Sequence, residues 1–112
     1  MRMRKKPNLA PRMERCARVL ISDPLALRGR WQSLMPQAEA VFLELGCGKG
    51  RFTVETAALH PDVLFIAVER VPDAMVIAME RAMELDLKNV FFLDVDAVRL
   101  PQLFAPCEVD CI

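Results

Sequence analysis

The chain has 112 residues, 54% of them hydrophobic and 27% charged, with 15 basic against 15 acidic side chains. That length excludes a two-domain enzyme or a repeat array, and the composition is that of a chain able to build a core, unlike a disordered one. Neutrality overall hides a division: residues 1–30 carry nine basic groups against Glu14 and Asp23, a balance of +7, and the remainder carries −7.

The first segment, Met1-Arg-Met-Arg-Lys-Lys-Pro, starts basic, but no apolar run of a secretory peptide follows. The longest apolar run, Val63 to Val68, is far too short for a membrane span. The protein is read as cytosolic, its four cysteines as reduced thiols. Cys107 and Cys111 have a Cys-x-x-x-Cys spacing, but with one His and no second cysteine pair no metal site is expected. The basic start suggests a polyanionic partner, nucleic acid or a membrane surface, with a solvated arm as the alternative. Residues 1–36 read as this arm plus a small packed helix, from Met13, Cys16, Ala17 and Leu20 at i, i+3, i+4 and i+7, stopping before Ser22-Asp23-Pro24.

Residues 37–112 alternate short β-rich runs with longer helical ones, the pattern of a parallel sheet covered by helices, an α/β fold. Val41–Leu45 is the first strand. The turn Gly46-Cys47-Gly48-Lys49-Gly50 leads into a helix with Phe52, Thr56 and Leu59 on one face, ended by His60-Pro61-Asp62. Val63–Glu69 is a continuous apolar run closed by a carboxylate, as for a strand buried on both faces. Pro72 or Asp73 opens a helix whose Met75, Met79 and Met83 read as packing against the sheet. Val90–Leu93 is the third strand, followed by an acidic turn, Asp94-Val95-Asp96-Ala97. Val109 to Ile112 reads as the opening of a fourth strand, expected beside the first on the far side from the second. The expectation is a domain truncated at that strand, with a sheet edge open to self-association.

Glycines at a strand-to-helix turn let a ligand approach the backbone beside the N–H groups of a helix start. A dinucleotide fingerprint fails because its third glycine position holds Arg51, and a Walker loop fails on spacing and on its Gly-Lys-Ser/Thr ending. What stands here is Gly-x-Gly-x-Gly preceded by the acid Glu44. This resembles motif I of the class I S-adenosylmethionine-dependent methyltransferases, a Rossmann-like fold. Glu69 ends the second strand 25 residues after Glu44, where a carboxylate can accept two hydrogen bonds from ribose hydroxyls. An acid after the third strand can accept from the adenine amino group.

The resemblance extends further. Met1–Pro7, Leu27-Arg28-Gly29-Arg30-Trp31, Leu43–Phe52, Pro61–Glu69 and Asn89-Val90 to Asp96-Ala97 are similar to the N-terminal half of the bacterial tRNA (guanine-N7)-methyltransferases. That resemblance implies a methyl donor held by Glu44, Glu69 and Asp96, with Gly46, Gly48 and Gly50 shaping the loop and Asp94 as the rival of Asp96. It implies tRNA as partner, its phosphates neutralised by Arg2, Arg4, Lys5, Lys6, Arg12 and Arg15. The family's Asp-Pro-Trp motif, which supplies an active-site Asp, does not occur in this chain, so no catalytic residue is assigned within it and the chain is expected to be inactive alone. The rival functions are a class I methyltransferase acting on a protein or small molecule, and an RNA-binding module with a vestigial donor pocket.

Overall fold

A computed structural model describes residues 8–112. Three parallel strands, β1 (Ala40–Leu45), β2 (Val63–Val68) and β3 (Val90–Leu93), lie in the order β1-β2-β3. Leu45 pairs with Val68, and Val68 with Leu93, so all three strands end at one edge of the sheet. The central strand follows from its composition: Leu64 to Val68 are all buried, which only a strand covered on both faces permits.

The connections are α2 (Arg51–Leu59) between β1 and β2 and α3 (Pro72–Glu84) between β2 and β3. Pro72 opens α3 at a position where its missing N–H costs nothing, and Met75 and Met79 are fully buried. The core face of α2 differs from the expected one. Thr53, Val54 and Ala57 are buried, whereas Phe52 is 72% and Leu59 77% exposed. Phe52 and Thr56 instead line an apolar groove beside β1, with Phe42, Leu45, Cys111 and Ile112. Periodicity identified the helix but not the face that meets the sheet, which depends on the angle at which the glycine turn delivers it.

The N-terminal segment also departs from its simple helical reading. Helix α1 spans Leu9–Arg15, and the chain then turns extended. Phe92 N–H donates to Val19 O at 2.8 Å and Ile21 N–H to Phe92 O at 2.9 Å, so Val19 to Ile21 run along the outer edge of β3. Unpaired backbone groups on a sheet edge seek partners, and this satisfaction outweighs one more helical turn. Residues 8–36 thus contribute to the same two cores as the rest of the chain. One core, beneath α1, α2 and α3, contains Cys16, Val19, Val54, Phe65, Met75 and Phe92. The other holds Trp31, Met35, Val41, Leu64, Ile66 and Leu103, under short 3-10 turns at Pro24–Leu27 and Trp31–Leu34 and helix α4 (Leu100–Leu103). The division at residue 36 is one of sequence texture, and packing does not follow it.

At the C-terminal end, Asp110 N–H donates to Val41 O and Leu43 N–H to Cys111 O, both at 2.8 Å. Cys111 lies parallel to Phe42, on the side of β1 away from β2, which is the place expected for a fourth strand. No described helix is long and apolar enough to cross a membrane.

Candidate methyl-donor site

The parallel register brings three strand ends, and the acids that follow or close them, to one edge of the sheet, the usual ligand edge of such folds. Between β1 and α2 the loop is tied down by Gly46 N–H at 2.8 Å and Cys47 N–H at 3.1 Å from Val68 O. Gly50 has φ +76°, and a Cβ there would stand 2.4 Å from Ala78 Cβ, so glycine lets the start of α2 close onto α3. Gly48, with φ +57°, has open space on its Cβ side, as Gly46 does. The loop is therefore packed at its end and open at its front.

Glu69 fastens the loop to the next helix. Its Oε1 accepts from Gly48 N–H at 2.8 Å, and Oε2 accepts from Arg70 N–H and Val71 N–H at 2.9 and 3.0 Å. A carboxylate has about four acceptor positions, so two bonds from a ribose diol require one of these backbone donors, such as Gly48, to let go. Glu44, half-buried at the end of β1, accepts from the Thr53 hydroxyl at 2.5 Å through Oε1, and Oε2 has no partner among the described residues. Between these acids the half-buried Cys47 thiol is pushed up to about 12, first by burial and then by the charges of Glu69 and Glu44. It stays protonated and inert at neutral pH.

After β3, Asp96 caps a 3-10 turn: its Oδ1 accepts from Val98 N–H at 3.1 Å, and Oδ2 stands 3.3 Å from the exposed Arg70 guanidinium. Asp94 is exposed and lines a cavity of about 700 Å³ with Asn8, Leu9, Met13 and Pro72. Both acids lie on the site's edge, one held by a cap and the other open.

The expected RNA-binding residues fare differently. Arg2, Arg4, Lys5 and Lys6 lie outside the described residues. Arg12 makes a two-pronged ion pair with Glu80 on α3, Nε to Oε2 at 2.9 Å and Nη2 to Oε1 at 2.5 Å. Arg15 is exposed on the last turn of α1. Sequence reasoning missed Thr53, whose only signal is a hydroxyl on an otherwise apolar helix face, and Arg70, adjacent to Glu69 and paired with Asp96.

A doubly covered parallel sheet with an acid-flanked glycine loop at its strand ends defines a Rossmann-like nucleotide- or methyl-donor-binding class. A family model described as "Putative methyltransferase" matches residues 38–112, and the chain belongs to that methyltransferase family. The tRNA (guanine-N(7)-)-methyltransferase of Geobacillus thermodenitrificans is 39% identical over 109 residues, covering 97% of this chain and 50% of that protein. The protein of the same name from Lactococcus lactis subsp. cremoris is 33% identical over 110 residues, covering 98% of this chain and 51% of its own length. The chain spans about half the length of these curated relatives. Among solved structures, the 16S rRNA methyltransferase KamB matches with a TM-score of 0.56 and 27% identity over 65% of this chain and 36% of that one. An antibiotic-related methyltransferase matches at 0.58 and 22% identity, over 65% and 39%, a likeness of fold.

Proposed function

We propose that this chain is the donor-binding part of an enzyme that uses S-adenosylmethionine to methylate guanine N7 in tRNA. The observation that carries the reading is the grouping of Glu44, Glu69 and Asp96 at three successive strand ends around a loop open at Gly46 and Gly48. The names of the relatives that match nearly the whole chain support the choice of substrate.

The residues fit such a donor. Glu44, with one oxygen unpartnered, suits the methionine ammonium; Glu69 suits the ribose hydroxyls; Asp96, with Asp94 as rival, suits the adenine amino group. When bound, the donor supplies a methyl group on a sulfonium. Guanine N7 offers a lone pair and carries no proton, so positioning matters more than a general base, and none of this chain's residues needs to take a proton. Arg2, Arg4, Lys5, Lys6 and Arg15 are assigned to tRNA phosphates, which orient the RNA without choosing the base. Arg12 joins them only by leaving Glu80. The place of work on this reading is the cytoplasm, where tRNA is met.

The test is calorimetric titration of the chain with S-adenosylhomocysteine, with Glu69→Ala as the control. Saturable binding by the parent and none by the variant is expected. A folded parent that binds nothing, or a variant that binds equally, overturns the donor site. Adding tRNA, with salt varied, then separates the substrates: an affinity that ignores both salt and Arg-to-Ala changes in the basic segment overturns the tRNA assignment in favour of a protein or small-molecule acceptor. Salt-sensitive RNA binding without donor binding marks a vestigial pocket.

A further inference from the structure

Thr53 is completely buried beside Val54 and Ala57, where valine would have the same shape and no hydroxyl to satisfy. A buried threonine in a helix ordinarily gives its hydroxyl to the carbonyl three or four residues back. Here it uses neither: the Lys49 carbonyl, four back, accepts from the Arg81 guanidinium at 2.9 Å, and the Gly50 carbonyl, three back, keeps its ordinary helical bond from Val54 N–H at 2.8 Å. The Thr53 hydroxyl instead crosses from α2 to the end of β1 and donates to Glu44 Oε1 at 2.5 Å. A charge-assisted bond of this kind fixes a carboxylate that would otherwise rotate about its last torsion. It occupies one oxygen and leaves Oε2 without a partner among the described residues.

We propose that Thr53 is a positioning residue for the amino-acid end of the methyl donor, holding Glu44 by one oxygen so that the other is presented to the ammonium. The proposal rests on the donor reading above. It predicts a selective effect, because Thr53 acts only through Glu44, and Glu44 concerns only the end of the donor that carries the ammonium.

The experiment titrates the chain with two ligands, S-adenosylhomocysteine and 5′-methylthioadenosine, which keeps the nucleoside but lacks the amino-acid end. Thr53→Val is expected to weaken the first by about tenfold and the second by less than about twofold. Thr53→Ser, which keeps the hydroxyl, restores the first, and in a Glu44→Gln background Thr53→Val has no further effect. Equal weakening of both ligands shows a merely structural hydroxyl and overturns the proposal, as does unchanged homocysteine-ligand affinity in Thr53→Val. Should Val unfold the chain, Glu44→Gln carries the test: it keeps an acceptor for Thr53 but loses the charge, and it must reproduce the selective loss. A folded parent chain that binds neither ligand overturns the donor reading itself, whereas a parent that binds both with unselective variants overturns only the role of Thr53.

Discussion

On one face of the sheet α2 and α3 pack their apolar sides onto Phe65, Ala67 and Phe92, joined by the half-buried Met13 of α1; on the other, two 3-10 turns and the four-residue α4 cover Leu64, Ile66 and Val68. The helical face is held by many small contacts repeated at helical spacing. The turn face depends on a few long-range bonds. Trp31, fully buried and stacked on Phe104 with ring centroids 4.6 Å apart, donates from Nε1 to Leu103 O at 2.8 Å. Glu108 receives Gly29 N–H and Ala105 N–H at 2.9 Å and Trp31 N–H at 3.1 Å. A face whose only regular helix is the four-residue α4 must satisfy much of its backbone with side chains, and so concentrates stability in few residues. The glycine loop belongs to the helical face, to which Gly50 locks it through Ala78.

Thiol chemistry gives the largest expected contrast between regions. At pH 8 the exposed Cys107 and Cys111 should label readily with iodoacetamide. Cys47, half-buried and pushed up to about 12, should react far more slowly, since the thiolate is the nucleophile. Fast labelling of Cys47 in mass-spectrometric mapping would deny that the loop is closed against α3.

Next comes Trp31→Ala, which removes the anchor of the turn face and should cost about 3–5 kcal/mol by urea unfolding. Trp31→Phe, keeping most of the stack, should cost less, mainly the bond to Leu103. If both cost under about 1 kcal/mol, the turn face does not concentrate stability as argued.

On the helical side, Asn89 is the counterpart. Its buried amide nitrogen donates to the carbonyls of Ala57 and Val63 at 3.0 Å and His60 at 2.9 Å, joining the end of α2 to the starts of β2 and β3. Asn89→Ala leaves these carbonyls short of a donor and should cost about 2–3 kcal/mol. It should also raise labelling of the buried Cys16 more than Trp31→Ala does, which would resolve the two faces independently.

The smallest effect is expected at the Arg12–Glu80 pair, partly open to solvent. The hydrogen bond from Arg12 holds the Glu80 carboxyl below its ordinary 4.5. A carboxylate whose folded value is lowered stabilises the fold fully above its unfolded value, and that contribution vanishes as pH falls through the lowered one. Glu80→Gln should therefore lower Tm slightly at pH 7 and not at all once the pH is below both values. A deficit persisting at low pH would assign the effect to packing.

The sequence alone determined the strands, the helices between them and the glycine turn, because each is written in local patterns: short β-rich or continuous apolar runs, helical spacing, and glycines where a turn needs them. It also determined that Val109 onward belongs beside β1. Only the tertiary structure decided which face of α2 is buried, that Val19 to Ile21 leave the helix to edge β3, that Arg12 is spent on Glu80, and that Thr53 reaches Glu44. Each of these depends on partners far apart in the chain, whose competition for one backbone edge, one carboxylate or one hydroxyl is settled by packing and hydrogen-bond satisfaction and leaves no periodic trace in the sequence.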